Sequence, residues 1–433
     1  MVGPCVTRLS IVTSSEKRPA RDRCPGVFGT HPAADGAVAR IRLVGGTIRP
    51  EQVQALAAAA AAYGDGFIEL TGRGNLQLRG IGDVDAVADA VVEAGLVPSS
   101  THETVRNIEV SPLTGRIGGL ADLRPVAVEL DRGLRDDAGL SALSGRFLFG
   151  LDDGRGDVVA RRPDVSAILR AGDGDGSGGV IADVVVGGVP VGSVPDLGAV
   201  PGALLDVARD VVDVEPTAWR IADLSPEARD EVLGRARRRL GDPLAADIEP
   251  AAAAATGARS VEAGAVEAGA VEAGAVGSHS ADPLTPRSPI VGWFDQDDGR
   301  VLLGGVVELG RIPARLAEFL AAIGAPIVMT PDREILICDL DEAVADTVVR
   351  VLAPMGLIFD ATSPWAAVSC CVGAPGCDSA EAPVRRDLLE RIESGDPVTE
   401  REHWVGCARG CGSPAAPHLR VEAGPDGYRE SHR

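Results

Sequence analysis

Five of the eight cysteines in this chain of 433 residues, Cys370, Cys371, Cys377, Cys407 and Cys411, fall in one short stretch near the C-terminus, whereas Cys5, Cys24 and Cys338 are scattered. In a reducing cytoplasm such clustering reads as a metal site before it reads as a disulfide framework. Cys371 and Cys377 enclose five residues, Cys407 and Cys411 enclose three, and 29 residues separate the two pairs. Four thiolates are soft, charged donors that complete the tetrahedral iron sites of a [4Fe-4S] cluster. The expected ligands are Cys371, Cys377, Cys407 and Cys411. Cys370 is the neighbouring alternative to Cys371, which alone gives the five-residue spacing. The residues leave two other readings open: structural zinc, whose sites use tighter C-x2-C-like pairs, and incidental buried thiols. Gly373, Gly376, Gly406, Gly410 and Gly412 let the backbone approach closely, and their amides can hydrogen-bond to sulfur. The intervening DSAEAPVRRDLLERIESG reads as a helix with Val384, Leu388, Leu389 and Ile392 on one face, which brings the second pair back beside the first.

The rest of the chain reads as a duplication. VARIRLVGG is strand-like, and an alanine-rich helix opened by Pro-Glu follows from Pro50 to Tyr63. GFIELTGRGNLQLRGI reads as two strands around a Gly-Arg-Gly-Asn turn, and DVDAVADAVVEAGL as a second helix. The same order returns in GRVLLGGVVELG, IPARLAEFLAAIG, APIVMTPDREILICDL and DEAVADTVVRVLAPMGL. Two such units of about 70 residues each resemble a split-βαβ half, and together they predict an α+β fold with one pseudo-symmetric core. Between them lie strand-like AVEL and FLFGL and a helical SPEARDEVLGRARRRL, followed by three copies of VEAGA. Side chains that small cannot offset the entropy of ordering. The expected organisation is an irregular tail over 1–24, a first ferredoxin-like half over 25–100, a mixed α/β segment over 101–245, a flexible linker over 246–289, a second half over 290–362 and the cysteine segment over 363–433.

A formal charge of −21 argues against nucleic acid or an anionic membrane surface as a partner, so an anionic ligand must meet a local arginine cluster. No stretch approaches the roughly 20 apolar residues of a membrane span, and no signal-peptide pattern opens the chain, which makes a cytoplasmic location the expectation. The glycine-rich AGDGDGSGG at 171–179 precedes IADVVVGG, which does not read as a helix, so no dinucleotide fingerprint is present. Electrons are expected from a separate reductase or ferredoxin.

The C-x5-C and C-x3-C pairs, with GCARGCG as the second, resemble the cluster motif of the sulfite/nitrite reductase superfamily. LTGRGNLQLRG is similar to its first ferredoxin-like half, and VRNIEVSPLTG to the segment that follows. The resemblance implies a duplicated fold with two mixed α/β segments for cofactor and substrate, in which the cluster lies beside a tetrapyrrole held by basic residues. Carried over position by position, Arg73, Gln77, Arg106 and Asn107 line the tetrapyrrole cavity, and 101–245 becomes a tetrapyrrole-binding segment. Arg146 matches the first of two basic residues that bind the small oxyanion in the reductases, and Leu148 stands where the second, a lysine, belongs.

That leucine departs from a six-electron reductase, because reducing sulfite or nitrite needs positive charge and protons at that point. DRCPGVFGTHPAADG and HLRVEAGPDGY instead look like the precorrin-3B synthase branch of the superfamily. This resemblance implies a monooxygenase of cobalamin biosynthesis. It hydroxylates and lactonises the substrate precorrin-3A with dioxygen, NADH being the ultimate donor. Arg73, Arg79, Arg106, Arg116 and Arg146 then pair with acetates and propionates. The resemblance also implies a non-haem iron, for which His31, His102, His403 and His418 are candidates without an evident two-histidine-one-carboxylate set. The alternative is a sirohaem-dependent sulfite or nitrite reductase, in which Cys411 also bridges cluster and haem iron.

Overall fold

The computed structural model describes residues 24–172, 179–241 and 288–433. The expected linker, apart from its last two residues, the expected tail, apart from its last, and most of the glycine-rich stretch at 171–179 lie outside the described residues.

Local chemistry sets the helices of the first repeat. Pro50 opens the helix Pro50–Tyr63, where its missing N–H is no loss, and the Asp83 carboxylate accepts from Ala86 N at 3.0 Å to cap Val84–Glu93. The first sheet runs His31–Ala33, Gly36–Ile41, Leu76–Ile81, Phe67–Leu70 and then Arg311–Pro313, which belongs to the second repeat. The second sheet runs Gly292–Asp295, Val301–Gly305, Ile335–Leu340, Ile327–Met329 and then Thr47–Ile48 from the first repeat. Each repeat therefore lends the strand before its first helix to the other's sheet: Ile312 opposes Ile68, and Ile48 opposes Ile327. The two exchanges share a local cause. Gly45 and Gly46 have φ of 57° and 69°, and Leu309 and Gly310 have φ of 56° and 65°, so the same left-handed pair turns the chain across at both places. One core results, with Ile41, Leu56, Ile68 and Leu78 of the first repeat packed with Leu303, Leu316, Ile327 and Ile337 of the second.

The third sheet runs Val189–Val194, Val180–Val186, Val165–Ala171, Phe149–Asp152 and Ile108–Val110, with the helices Arg124–Asp136, Val200–Val214 and Pro226–Leu240 packed in its core. The strand expected at AVEL is part of the helix Arg124–Asp136. Val126, Ala127, Leu130 and Leu134 are buried while Val128 is exposed, a helical period that four letters read as alternation could not show. The fourth sheet runs Val368–Cys370, Glu402–Val405, Leu419–Gly424 and Gly427–His432. Its helix spans Val384–Glu393 and starts later than expected, because Pro383 biases the residue before it away from helical angles. Among the described residues no helix is long and apolar enough to cross a membrane.

Candidate metal centre and anion site

The strands Val368–Cys370 and Glu402–Val405 pair in parallel, with Cys370 opposite Trp404, and this pairing places the two cysteine pairs side by side at the strand ends. Cys371 N donates to Trp404 O at 2.9 Å, and two residues beyond Trp404 the Gly406 N donates to Cys371 Sγ at 3.2 Å. Burial pushes the Cys411 thiol pKa up, and the neighbouring Cys371, Cys407 and Cys377 push it further, so the four expected ligands face one another. Among the described residues no three of these sulfurs lie mutually within 4.8 Å. Cys370 has a different setting: burial pushes its thiol to about 11, and its charged neighbours include Arg385, Arg333 and Glu69.

A group of arginines lies against this centre. Arg40 and Arg42 alternate with Ile41 on the strand Gly36–Ile41 and its continuation, so Ile41 enters the core and the two guanidiniums share the opposite face. Arg40 Nη2 donates to Gln77 Oε1 at 3.2 Å, and Arg42 donates from Nε to Asn107 Oδ1 at 3.2 Å and from Nη1 to Pro25 O at 3.1 Å. The Nε of Arg40 and the Nη2 of Arg42 are buried without a hydrogen-bond partner. Arg73 donates to Arg146 O at 3.1 Å. Among the described residues Arg40, Arg42 and Arg73 form no ion pair with a carboxylate. Burial lowers the pKa of all three; for Arg42 burial, with Arg40 next, brings it down to about 10. Buried cations without counter-ions attract an anion. Cys411 is among the charges that Arg40 senses, so the cationic face adjoins the cysteine centre.

The arginines singled out in the sequence divide into two sets. Arg73 and Arg146 come together, and Arg146 is exposed with its guanidinium 4.3 Å from the centre of the Trp219 ring. Gln77 and Asn107 sit beside Arg40 and Arg42. The others are committed to internal partners. Arg79 binds Asp35 through two bonds of 3.1 and 2.9 Å and also Gly376 O at 3.0 Å. Arg106 meets Asp131 at 2.5 Å, and Arg116 holds Asp339 of the second repeat at 2.8 and 3.0 Å. Sequence reasoning missed Arg40 and Arg42, although two basic residues at alternate positions of the apolar run VARIRLVGG were a usable signal. It also missed Arg333, which reaches the cysteine loop from the second repeat.

Residues 31–94 match the family described as nitrite/sulfite reductase ferredoxin-like half domain. A protein of Sinorhizobium sp named precorrin-3B synthase is 26% identical over 421 residues, covering 94% of this chain and 82% of its own. The chain resembles precorrin-3B synthase. Among solved structures, the NirA protein of Mycobacterium tuberculosis superposes with a TM-score of 0.65 over 92% of this chain and 73% of its own. At 19% identity that likeness concerns the fold, which is the duplicated α+β architecture of the sulfite/nitrite reductases.

The C-x3-C loop of this precorrin-3B synthase-like chain is braced from outside through its carbonyls. Arg420 Nη2 donates to Ala408 O at 2.8 Å, Arg333 Nη2 to Gly412 O at 2.7 Å, and His403 Nε2 to Cys411 O at 3.0 Å. A carbonyl only accepts, so Nε2 of His403 carries the proton and Nδ1 accepts from Ser369 Oγ at 2.8 Å. Burial, then the Arg333 charge, lowers the His403 pKa to about 3, which keeps this imidazole neutral. The His403 and His418 rings meet edge to face at 6.0 Å, while His102 bonds Asp137 O at 2.9 Å and His31 lies exposed in the first sheet. Among the described residues these histidines do not combine with a carboxylate into a trio of ligand atoms within 4.8 Å, so no further iron is assigned to them.

Proposed function

We propose that the chain is a precorrin-3B synthase, converting precorrin-3A, dioxygen and NADH into the hydroxylated lactone precorrin-3B of cobalamin biosynthesis. One oxygen atom enters the substrate as the hydroxyl, and two electrons from NADH reduce the other to water. The observation that carries the reading is the face formed by Arg42, which is buried, and Arg40 and Arg73, which are half-buried, none of them ion-paired to a carboxylate among the described residues and the face adjoining Cys411. In a protein of charge −21, such a face suits a polycarboxylate, and guanidiniums pair with acetates and propionates in two-pronged fashion. The chain's similarity to a precorrin-3B synthase over 94% of its length supports the same substrate class.

Cys371, Cys377, Cys407 and Cys411 would hold a [4Fe-4S] cluster, which would supply electrons one at a time. The protein's own part is to hold the substrate by Arg40, Arg42, Arg73 and Arg146, to fix the Arg40 and Arg42 guanidiniums through Gln77 and Asn107, and to brace the cysteine loop through His403, Arg333 and Arg420. Leu148 is only 3% exposed and carries no charge where a reductase places a lysine, which favours this reading over a sirohaem-dependent sulfite or nitrite reductase.

The test compares two variants on two substrates. Arg146→Ala removes a charge-assisted bond of roughly 1.5–3 kcal/mol and should weaken precorrin-3A use by about one to two orders of magnitude. Leu148→Lys should help neither substrate, because it buries an unmatched charge. Sulfite turnover that rises with Leu148→Lys would overturn the reading in favour of the reductase.

A further inference from the structure

Gln77 uses both ends of its amide. Its Nε2 donates to Glu69 Oε2 at 3.0 Å, and its Oε1 accepts from Arg40 Nη2 at 3.2 Å. The orientation is dictated by chemistry: a carboxylate cannot donate and a guanidinium cannot accept, so the amide fits only one way round. Strand register sets the line, because Glu69 opposes Gln77 and Gln77 opposes Arg40 across three neighbouring strands of the first sheet.

Glu69 is 7% exposed and is itself held from two sides. Arg385 Nη2 meets its Oε1 at 2.5 Å from the helix Val384–Glu393 that joins the two cysteine pairs. Arg311 Nε stands 3.3 Å from the same oxygen, on the strand lent by the second repeat, with its guanidinium stacked 3.8 Å from the centre of the Phe67 ring. Two guanidiniums on opposite elements hold this buried carboxylate in place. The chain of contacts therefore starts on the cysteine segment and ends on Arg40, whose Nε is one of the two unpartnered donors of the anion site, with Nη2 of Arg42.

We propose that Glu69 is a positioning residue for the anion site, acting through Gln77 to fix the Arg40 guanidinium and tying its orientation to the helix between the cysteine pairs. Glu69 meets the substrate nowhere; its effect reaches the ligand only through Arg40. This inference rests on the reading of the arginine face as the tetrapyrrole-binding surface.

The experiment is a fluorescence titration of the full chain with uroporphyrin III, a stable tetrapyrrole bearing carboxylates around its rim. It uses wild type, Arg40→Ala, Glu69→Gln, Gln77→Leu and both combinations with Arg40→Ala. Gln77→Leu keeps the Glu69 ion pairs intact and so guards against a folding defect. Glu69→Gln and Gln77→Leu should each weaken binding about tenfold, the size of one charge-assisted hydrogen bond, and neither should weaken it further once Arg40 is alanine. Losses that multiply with that of Arg40→Ala would overturn the relay while leaving the binding face standing. A wild type that does not bind the probe, or an Arg40→Ala variant that binds as tightly, would overturn the binding face and the relay with it.

Discussion

The backbone N–H of Gly406 points at the sulfur of Cys371 from 3.2 Å, joining the strand end before the second cysteine pair to the first member of the first pair. Amide hydrogen bonds to sulfur favour the thiolate and raise a cluster's potential. A side chain could not be added at Gly406, where a Cβ would lie 2.7 Å from Ala380 Cβ. Replacing Cys371, Cys377, Cys407 or Cys411 singly by Ser should therefore abolish bound iron and sulfide together with the broad visible absorption. Cys370→Ser should keep them, since Cys370 lies beside Arg385, Arg333 and Glu69. Iron and sulfide analysis after anaerobic purification reads the result, and loss in Cys370→Ser with retention in Cys371→Ser would reverse the ligand assignment.

The strand exchange makes its own prediction. Gly46 has φ of 69°, and a Cβ there would lie 2.0 Å from Met329 O, in the strand that receives Thr47–Ile48. Gly46→Ala must open that pairing as well as adopt a left-handed backbone, at a cost of about 1–3 kcal/mol for the backbone alone. Its urea midpoint should fall clearly below that of Gly188→Ala, also at positive φ but with open space around it. Equal midpoints would show that the crossing point is not under this constraint.

The duplication was legible because each repeat shows helix and strand periods long enough to count, as in Pro50–Tyr63 and Ile335–Leu340. The exchange was not, because Thr47–Ile48 is too short to carry a period and its partner is distant in sequence. The cysteine pairs announced themselves by spacing alone. For the arginines, residue type and family resemblance could not separate Arg73, which lacks a carboxylate, from Arg106, whose counter-ion Asp131 lies on a helix first read in part as a strand. Counter-ions are a property of the folded chain, and they decide which cations remain for a ligand.

A third prediction concerns pH. Burial, with the neighbouring Asp157 next, raises the Asp152 carboxyl from its ordinary 3.8 to about 6. The folded state then binds this proton more tightly than the unfolded chain, so the contribution to stability is lost as pH rises from about 4 through about 6. Asp152→Asn cannot titrate, so from pH 4 to pH 6 its urea midpoint should fall less, or rise more, than that of wild type, whatever the offset from disturbing the four backbone N–H groups from which Asp152 accepts, those of Gly154, Gly156, Val158 and Val159. Parallel slopes would refute the shift.

The proposed role of the arginine face and the cysteine centre, oxygenation of a tetrapyrrole, is open to direct measurement. The direct measurement is aerobic turnover of the purified, cluster-loaded chain with precorrin-3A, NADH and a reductase system under isotopically heavy dioxygen, with products resolved by mass. A precorrin-3B synthase should give a lactone product carrying a single heavy oxygen atom, formed in wild type and sharply reduced in Arg40→Ala. Unchanged precorrin-3A from protein with full iron and sulfide content, while the same preparation reduces sulfite or nitrite, would contradict it.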